Sequence, residues 1–230
     1  MNGPLVDPGE VPEWLRGLVE ASGEVSARTF TRLTVPKGRP VRPASVLVLF
    51  GEDRHGPDVL LLRRADTLGS HAGQVAFPGG GAEPGDDGPV GTALREAEEE
   101  TGVDPSGVRP VAVFPELYLE VSRFAVTPVL AHWHEPSPVH AVDPGETAAV
   151  ARVPIAELTD PANRFQVRRP GGGWKGPAFS VGGMFVWGFT AGVLSALLSL
   201  GGWEREWDRS DVRDLDVAWA RHEERARRAD

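Results

Sequence analysis

The pattern of apolar and polar residues predicts a chain that mixes helices with strands. Apolar residues recur at helical spacing over residues 11–21, which predicts an amphipathic helix followed by a loop rich in Pro, Lys and Arg. Residues 44–50 and 58–64 are rich in β-forming residues, and the turn-forming sequence between them predicts a β-hairpin. Residues 74–81 predict a short strand that runs into a glycine loop.

Residues 89–101 predict a helix whose two ends are both marked in the sequence. Asp87 or Gly88 can cap its N-terminus, and Pro89 suits its first turn. Gly102 suits the position just after its last turn. The predicted helix therefore begins shortly after the glycine loop and ends at Gly102.

The second half of the chain predicts further strands without regular alternation with helices. The predicted strands are residues 108–117, 124–133, 147–158 (leading into a short helix), 164–169 and 178–181. Pro128 interrupts the second of these strands, which predicts a bulge or an edge position. The mixture favours an α+β or layered α/β/α fold over a doubly wound sheet.

An uncharged segment, residues 181–202, has the length of a membrane span. Its helical part, residues 187–200, is shorter than the ~20 residues that cross a bilayer, so we expect a buried core helix, with a membrane helix as the alternative. Residues 203–230 are dense in charges of both signs and predict a surface helix that frays into a disordered end. We therefore expect a helix and loop over 1–40, one domain over 41–202 and a charged tail.

Composition narrows the classes of function. The 230 residues suffice for one sizeable domain, and the formal net charge of −9 argues against a non-specific nucleic-acid binder. The absence of cysteine excludes disulfides, a thiol nucleophile and thiolate metal sites, and it suits a reducing cytoplasm. The N-terminus has no signal-peptide pattern, so we expect a cytoplasmic protein, and the oligomeric state is left open, with a homodimer as one alternative.

The sequence "REAEEETG" places several carboxylates on one helix. Glu96 lies one turn from Glu99 and Glu100, so the three side chains share a face from which Glu98 points away. They repel one another and sit at the helix C-terminus, where the macrodipole disfavours anions, and Arg95 can pair with Glu98 or Glu99. A divalent cation such as Mg²⁺ or Mn²⁺ would relieve this repulsion. The alternative is a solvated acidic face.

The glycine loop "FPGGG" before this helix makes the pattern more specific. Glycines let backbone groups approach a metal ion or a phosphate closely, although such a loop can also be a simple tight turn. A glycine loop followed at a fixed distance by a helix with several glutamates is more specific than either part.

Together, the loop and the helix resemble the Nudix box, the signature of hydrolases that cleave nucleoside diphosphates linked to another moiety. That box runs Gly, five residues, Glu, seven residues, Arg-Glu, an aliphatic residue, any residue, Glu-Glu, any residue, Gly and an aliphatic residue. Here Gly81 begins it and residues 95–103 complete it, with Asp87 at the position of the first Glu. A register that begins at Gly80 would use Asp86 instead, with one extra residue in the gap before Arg95.

Residues 60–80 resemble the segment that precedes this box in the coenzyme A pyrophosphatase branch. The matching residues are Leu60, Leu61, Arg64, Ala65, Gly73, Phe77, Pro78, Gly79 and Gly80. Leu62 replaces a Thr of that pattern and Gly69 replaces an Arg, which removes one phosphate contact. With later segments that are also similar, the resemblance covers about residues 44–200.

The resemblance implies a fold and a reaction. The fold would be an α+β, α/β/α sandwich with a mixed sheet flanked by helices. The reaction would be hydrolysis of the P–O–P bond of coenzyme A or its derivatives, giving 4′-phosphopantetheine and adenosine 3′,5′-bisphosphate. Alternatives are ADP-ribose, NADH or nucleoside triphosphates as substrates, or a Nudix-fold regulator that binds a nucleotide without hydrolysing it. The intact Arg-Glu and Glu-Glu pairs favour an enzyme.

The resemblance also implies the ligands of the cation. Mg²⁺, or Mn²⁺, would be held by Glu96, Glu99 and Glu100, together with a backbone carbonyl from Gly79 or Gly80. These glutamates and glycines are therefore the candidate metal-binding residues, and the same glycines are candidates for contact with the substrate.

Several other residues are candidates for supporting roles. Arg95 would orient the glutamates, and Gly73 belongs to the matched substrate-binding segment. Arg64 is favoured over Arg63 for phosphate contact, because only one of two successive strand residues faces a given side. Glu146 precedes a strand and is a candidate for a further ligand or base, or simply a polar loop residue.

Three further side chains have weaker claims, as do the acids Glu116 and Glu120. Trp133 and Trp187 are candidates for stacking on adenine, although tryptophans in a chain of this size mostly belong to the core. His71 is a further candidate for substrate contact, or a solvated loop residue.

Overall fold

The structure is a computed structural model that describes residues 2–31, 33, 40–69, 71–120 and 122–229. Residues 32 and 34–39, which belong to the basic loop predicted after the first helix, lie outside the described residues.

The helices and strands largely follow the predicted pattern. The helices of the described residues are α1 (Glu13–Ala21), α2 (Ala27–Phe30), α3 (Gly88–Thr101), α4 (Ile155–Thr159), α5 (Gly188–Leu200) and α6 (Leu215–Ala229). The strands are β1 (Gly3–Pro4), β2 (Arg42–Asp53), β3 (Gly56–Arg64), β4 (Val75–Ala76), β5 (Gly79–Gly81), β6 (Val108–Val113), β7 (Leu117–Leu119), β8 (Phe124–Trp133), β9 (Thr147–Pro154), β10 (Arg164–Arg168), β11 (Lys175–Val181), β12 (Met184–Val186) and β13 (Val212–Asp214).

A mixed sheet forms the centre of the molecule. Its main path has the order β1-β6-β8-β2-β3-β4, and β5, β7 and β9 add to it by pairing with β2, β8 and β3. Strands β2 and β8 run parallel, whereas β2 and β3 form the predicted hairpin with a two-residue turn between Asp53 and Gly56. The short glycine strand β5 pairs with the first half of β2.

The central strand β2 is covered on both faces, which explains its almost continuous apolar sequence. Val48 and Phe50 pack into one core with side chains of α1 and α5. Leu47 and Leu49, whose side chains alternate with these, pack into a second core against α3. The sheet therefore lies between helices, and the predicted α+β fold with an α/β/α arrangement is confirmed.

The position of Pro128 differs from the prediction. Strand β8 is an interior strand, with Pro128 opposite Val46 of β2, so neither an edge nor a bulge accommodates the proline. On the other side, β6 ends at Val113 and β7 begins at Leu117, and Pro128 lies opposite the gap between them. Its carbonyl accepts a hydrogen bond from the Phe114 N–H at 2.9 Å, while its missing N–H is not required there.

The uncharged segment of residues 181–202 forms the end of β11, all of β12 and the helix α5. Leu194, Leu197 and Leu198 are fully buried, so the prediction of a core helix is confirmed. Among the residues that the structure describes, no helix is both long and apolar enough to cross a membrane.

A second, smaller sheet has the order β12-β11-β10-β13, and α6 packs on it. Strand β13 pairs in parallel with β10, which fastens the charged tail to the preceding residues. Leu215 and Ala218 of α6 are buried, whereas Val217 is exposed. Helix α6 continues to Ala229, so the end of the tail is helical where the sequence predicts disorder.

We expect the substitution Leu194→Ala to lower the free energy of unfolding by about 2–5 kcal/mol, because it leaves a cavity in a close-packed core. Val217→Ala, on an exposed position of α6, should change it by less than about 0.5 kcal/mol. Denaturant unfolding followed by circular dichroism measures both. Equal effects of the two variants would contradict the assignment of α5 to the core.

Candidate active site

The candidate site lies where the glycine strand β5 meets the helix α3. Gly79 and Gly80 pair with Val46 and Ser45 of β2. A Cβ atom on Gly79 would collide with the Ser45 carbonyl oxygen, and one on Gly80 would lie 2.5 Å from the carboxylate of Glu96. Glycine at 79 therefore allows this strand to fit against β2, whereas a side chain at position 80 would displace the Glu96 carboxylate.

Glu100 is the most enclosed carboxylate of the site. Its side chain is 10% exposed, and Oε2 accepts a hydrogen bond from the Gly79 N–H at 2.9 Å. Burial raises the pKa of the Glu100 carboxyl to about 7, and repulsion from Glu96 and Glu146 acts in the same direction. The Gly79 N–H and Arg64, whose Nη1 lies 3.8 Å from Oε1, oppose this rise in the pKa.

Glu96 lies beside Glu100 on the face of α3 that meets the glycine strand. Burial raises the pKa of the Glu96 carboxyl, the neighbouring Arg95 guanidinium lowers it, and Glu99 and Glu83 add repulsion. The side chain of Glu99 is 59% exposed, and that of Glu98 also faces solvent. Of the three glutamates predicted to share a face, Glu96 and Glu100 thus point into the site, whereas Glu99 lies at its outer edge.

Arg95 holds this arrangement through several acceptors. It contacts Asp86 at 2.9 Å, Glu96 at 3.1 Å and Glu99 at 3.0 Å, and it donates to the Gly81 carbonyl at 3.0 Å. The Arg95 guanidinium lowers the pKa of the Asp86 carboxyl well below its usual range, and Asp86 in turn raises the pKa of Arg95. The structure shows no contact of Arg95 with Glu98, the other partner that the sequence allows.

The acid that precedes α3 in the site is Asp86. Besides Arg95, its carboxylate accepts hydrogen bonds from the Thr92 hydroxyl at 2.8 Å and the Glu83 N–H at 2.9 Å. Asp87 is the N-cap residue of α3 but makes no side-chain hydrogen bond there. The structure therefore favours the register of the Nudix box that uses Asp86.

Two residues of this region, Glu83 and Thr92, were not among the candidates from the sequence. Glu83 repels Glu96, and Thr92 is buried against Asp86. Glu83 lies two residues after the glycine strand, and this position in the sequence could have identified it as a residue near the site. Thr92 gives no signal, because its role depends on a contact six residues back along the chain.

The two arginines at the end of β3 face different ways. Arg63 pairs with Asp66 at 2.9 Å on the surface. Arg64 points towards Glu100, and its Nε is buried without a hydrogen-bond partner among the described residues. Glu146 is exposed, its carbonyl accepts from the N–H of Ala65, and its carboxylate adds to the repulsion on Glu100. Arg64 and Glu146 thus lie on the same side of the site as Glu100.

The remaining candidates are spread around the site. Trp133 is 1% exposed, with the Arg152 guanidinium 4.9 Å from its ring centre, so of its two alternatives the place in the core holds and stacking on adenine does not. Gly73 has a positive φ and lies against the ring of Trp219 in α6. The exposed His71 contacts Gln74 at 2.9 Å.

Comparisons with known proteins bear on this geometry. The family described as "NUDIX domain" matches residues 40–175. The uncharacterized Nudix hydrolase NudL of Cronobacter sakazakii is 39% identical over 158 residues, which cover 68% of this chain and 81% of that protein. The NudL of Escherichia fergusonii is 36% identical with the same coverage.

The chain belongs to the Nudix family. It is a Nudix hydrolase, a pyrophosphohydrolase that acts on a nucleotide-like substrate. The crystal structure of the Nudix hydrolase RenU from M. smegmatis shows the same fold. The TM-score is 0.50 and the sequence identity 19%, and the match covers 73% of this chain and 90% of that chain. The strand β5 and the helix α3 both lie within the matched residues 40–175.

Hydrolases of the Nudix family generally use divalent metal ions, and the donor set here fits such an ion. Glu96 and Glu100 are hard oxygen donors whose pKa values burial has raised, so a cation would restore the charged form that burial disfavours. Within the described part of the chain, no group of three His, Asp or Glu side chains has the spacing of a metal site as it stands. A third carboxylate would have to move to complete one.

We expect Asp86→Asn to destabilise the protein at about pH 7, because it removes the charge that pairs with Arg95, whereas Asp87→Asn should have little effect. The folded-state pKa of Asp86 lies below its unfolded value of about 3.9. The contribution of Asp86 to the free energy of unfolding is therefore fully present above the unfolded-state pKa. It is lost as the pH falls through the folded-state pKa. The midpoints of urea unfolding from about pH 7 to pH 3 measure this, and a difference from wild type that persists unchanged at pH 3 would contradict it.

Proposed function

We propose that this Nudix hydrolase cleaves the diphosphate bond of coenzyme A or its derivatives, giving 4′-phosphopantetheine and adenosine 3′,5′-bisphosphate. The observation that carries the chemistry is the pair of enclosed carboxylates, Glu96 and Glu100, against the glycine strand, with Arg64 beside them. The choice of substrate is supported by the resemblance of residues 60–80 to the coenzyme A pyrophosphatase branch.

We assign the cation site to Glu96, Glu99 and Glu100, with a backbone carbonyl of Gly79 or Gly80 and with Mg²⁺ or Mn²⁺ as the ion. When bound, the ion would offset the negative charge of the diphosphate and make a water molecule more acidic. Glu99 is the carboxylate that could complete the set, because it is 59% exposed and, among the described residues, is held by Arg95.

The side chains around the glutamates would position them, contact the substrate phosphates and accept a proton. Arg95 holds Glu96 and Glu99 in place through its own anchor, Asp86. Arg64, whose side chain is 30% exposed at the end of β3, would contact a phosphate oxygen. A carboxylate of the cluster takes the proton of the attacking water, and Glu146 is an additional acid at its edge.

One feature of the sequence favours a second group of substrates. Gly69 stands where the coenzyme A branch has an arginine, so one phosphate contact of that branch is missing. ADP-ribose, NADH and nucleoside triphosphates carry the same P–O–P linkage without the 3′-phosphate of coenzyme A. The same glutamates would serve all of them.

Hydrolysis assays in the presence of Mg²⁺ test this proposal, with products separated by chromatography. The substrates are coenzyme A, an acyl-coenzyme A, NADH, ADP-ribose and deoxynucleoside triphosphates. We expect the highest kcat/KM with coenzyme A and its derivatives. A higher value with another diphosphate would overturn the choice of substrate. Tight nucleotide binding without turnover would identify a regulator instead of an enzyme.

We expect Glu100→Gln and Glu99→Gln each to lower kcat by more than about 100-fold, since even a residue that only supports a metal ligand is worth 10–100-fold. Glu98→Gln provides the matched control, because Glu98 is on the same helix but faces solvent. Circular dichroism and thermal unfolding verify that each variant folds. Turnover retained in folded Glu100→Gln would refute the assignment of the cation site.

Arg64→Ala should lower kcat/KM about 10–100-fold, the worth of a hydrogen bond to a charged group. Arg63→Ala removes the neighbouring arginine, whose guanidinium pairs with Asp66 on the surface, and should change kcat/KM little. Steady-state kinetics on the best substrate of the panel compares the two. A larger loss in Arg63→Ala would reverse the assignment of the arginines.

A further inference from the structure

A pocket of about 630 Å³ lies between helix α6 and the loop that connects β10 to β11. We call it the tryptophan pocket. The residues that line it are Arg169, Pro170, Trp187, Leu215, Asp216, Trp219, Ala220 and Glu223. The rings of Trp187 and Trp219 meet edge to face with their centres 6.1 Å apart, so two large, flat side chains form its inner wall. Several of these residues lie beyond the part of the chain that the Nudix family matches.

Trp187, which lines the pocket, has a polar group without a partner among the described residues. The Nε1–H of Trp187 is buried and has no acceptor among the described residues. By contrast, the Nε1–H of Trp219 donates to Glu223 at 2.7 Å. A buried donor without an acceptor is costly, and an acceptor that entered the pocket and met Trp187 would relieve that cost. The wall therefore suits a ligand that combines apolar groups with a carbonyl oxygen.

The charges of the tryptophan pocket restrict the ligand further. Asp216 and Glu223 are exposed carboxylates at its rim, and the Arg169 guanidinium, 5.9 Å from the ring centre of Trp187, is the cation that lines it. The lining thus has one more negative than positive charge. A phosphate group would be repelled there, whereas an uncharged group would not.

The tryptophan pocket adjoins the segment that connects β3 to the glycine strand. Trp219 Cζ2 lies 3.2 Å from the position of a Cβ on Gly73. The carbonyl of the next residue, Gln74, accepts a hydrogen bond from the N–H of Arg64 at 3.0 Å. The inner wall of the pocket is therefore supported by the same short segment that positions Arg64.

We propose that the tryptophan pocket binds the uncharged, amide-bearing arm of the diphosphate substrate while the diphosphate lies beside Arg64 and the glutamates. The proposal rests on the proposed function, since it assumes a diphosphate with two different arms. In coenzyme A the matching arm is pantetheine, which has two amides and no charge, whereas the adenosine arm carries the 3′-phosphate. In NADH the matching group is the carboxamide of the dihydronicotinamide.

The variant Ala220→Phe tests the proposal by filling the pocket, because Ala220 is exposed on α6 and lines the pocket. Val217→Phe adds the same ring on an exposed position of α6 that does not line it. We measure kcat/KM for coenzyme A and for NADH, each relative to ADP-ribose, which lacks an amide-bearing arm. For the substrate that uses the pocket, Ala220→Phe should lower this ratio by at least about tenfold, and Val217→Phe should leave it unchanged.

Trp187→Phe provides a second variant that keeps an aromatic side chain, although a smaller one, and removes the N–H. We expect it to lower the same ratio by about tenfold, the worth of one hydrogen bond. A fall for coenzyme A but not for NADH would identify the pantetheine arm, and the reverse would identify the carboxamide. Ratios equal to wild type in both Ala220→Phe and Trp187→Phe would overturn the proposal.

Binding of fragments separates this inference from the proposed function. Ligand-observed NMR with pantetheine and with nicotinamide does not require turnover. Binding of either fragment to the wild type, and its loss in Ala220→Phe but not in Val217→Phe, would support the pocket even if none of the diphosphates were hydrolysed. Absence of binding of both fragments to the wild type would overturn the pocket, whatever the outcome of the hydrolysis assays.

Discussion

The close approach of the glycine strand to helix α3 is the constraint on which the rest of the site depends. Gly79 and Gly80 have no side chains, so the strand can pair with β2 and still lie against the helix. That contact lets the Gly79 N–H reach Glu100 and encloses Glu96. The burial of both carboxylates, and the rise in their pKa values, follow from this packing.

The cost of burying Glu96 and Glu100 is larger than the cost of repulsion between neighbouring glutamates on the helix. Repulsion between exposed like charges one turn apart costs a few tenths of a kcal/mol, roughly, so an exposed cluster would be tolerated. Burial is the larger effect at both Glu96 and Glu100, because a carboxylate out of water must be paired or neutralised. Arg95 offsets part of the cost of burying the charged Glu96, and the Gly79 N–H and Arg64 offset part of the cost at Glu100. The remaining excess of negative charge is the physical reason to expect a cation.

The features that the sequence predicts well are those set by neighbours along the chain. The β2–β3 hairpin, helix α3 with its glycine end, and the core helix α5 all follow from local apolar spacing and turn residues. The choice of Asp86 over Asp87 depends on which acid Arg95 reaches in space, and the burial of Trp133 depends on strands far apart in sequence. The interior place of Pro128 likewise depends on where β6 and β7 leave a gap. Local patterns contain no information on such contacts.

The two parts of the chain contribute different things to a hydrolase. The glycine strand, α3 and Arg64 bring together charges that any P–O–P bond requires, so they distinguish poorly between one diphosphate and another. Discrimination must come from side chains that meet the rest of the substrate, beyond the diphosphate. Trp187 and Trp219 are well placed for that task, because Trp219 packs on Gly73, one residue before the segment that pairs with Arg64. If the tryptophan pocket binds one arm of the substrate, the sequence of the charged tail, more than that of the glutamate helix, would determine which arm the enzyme accepts.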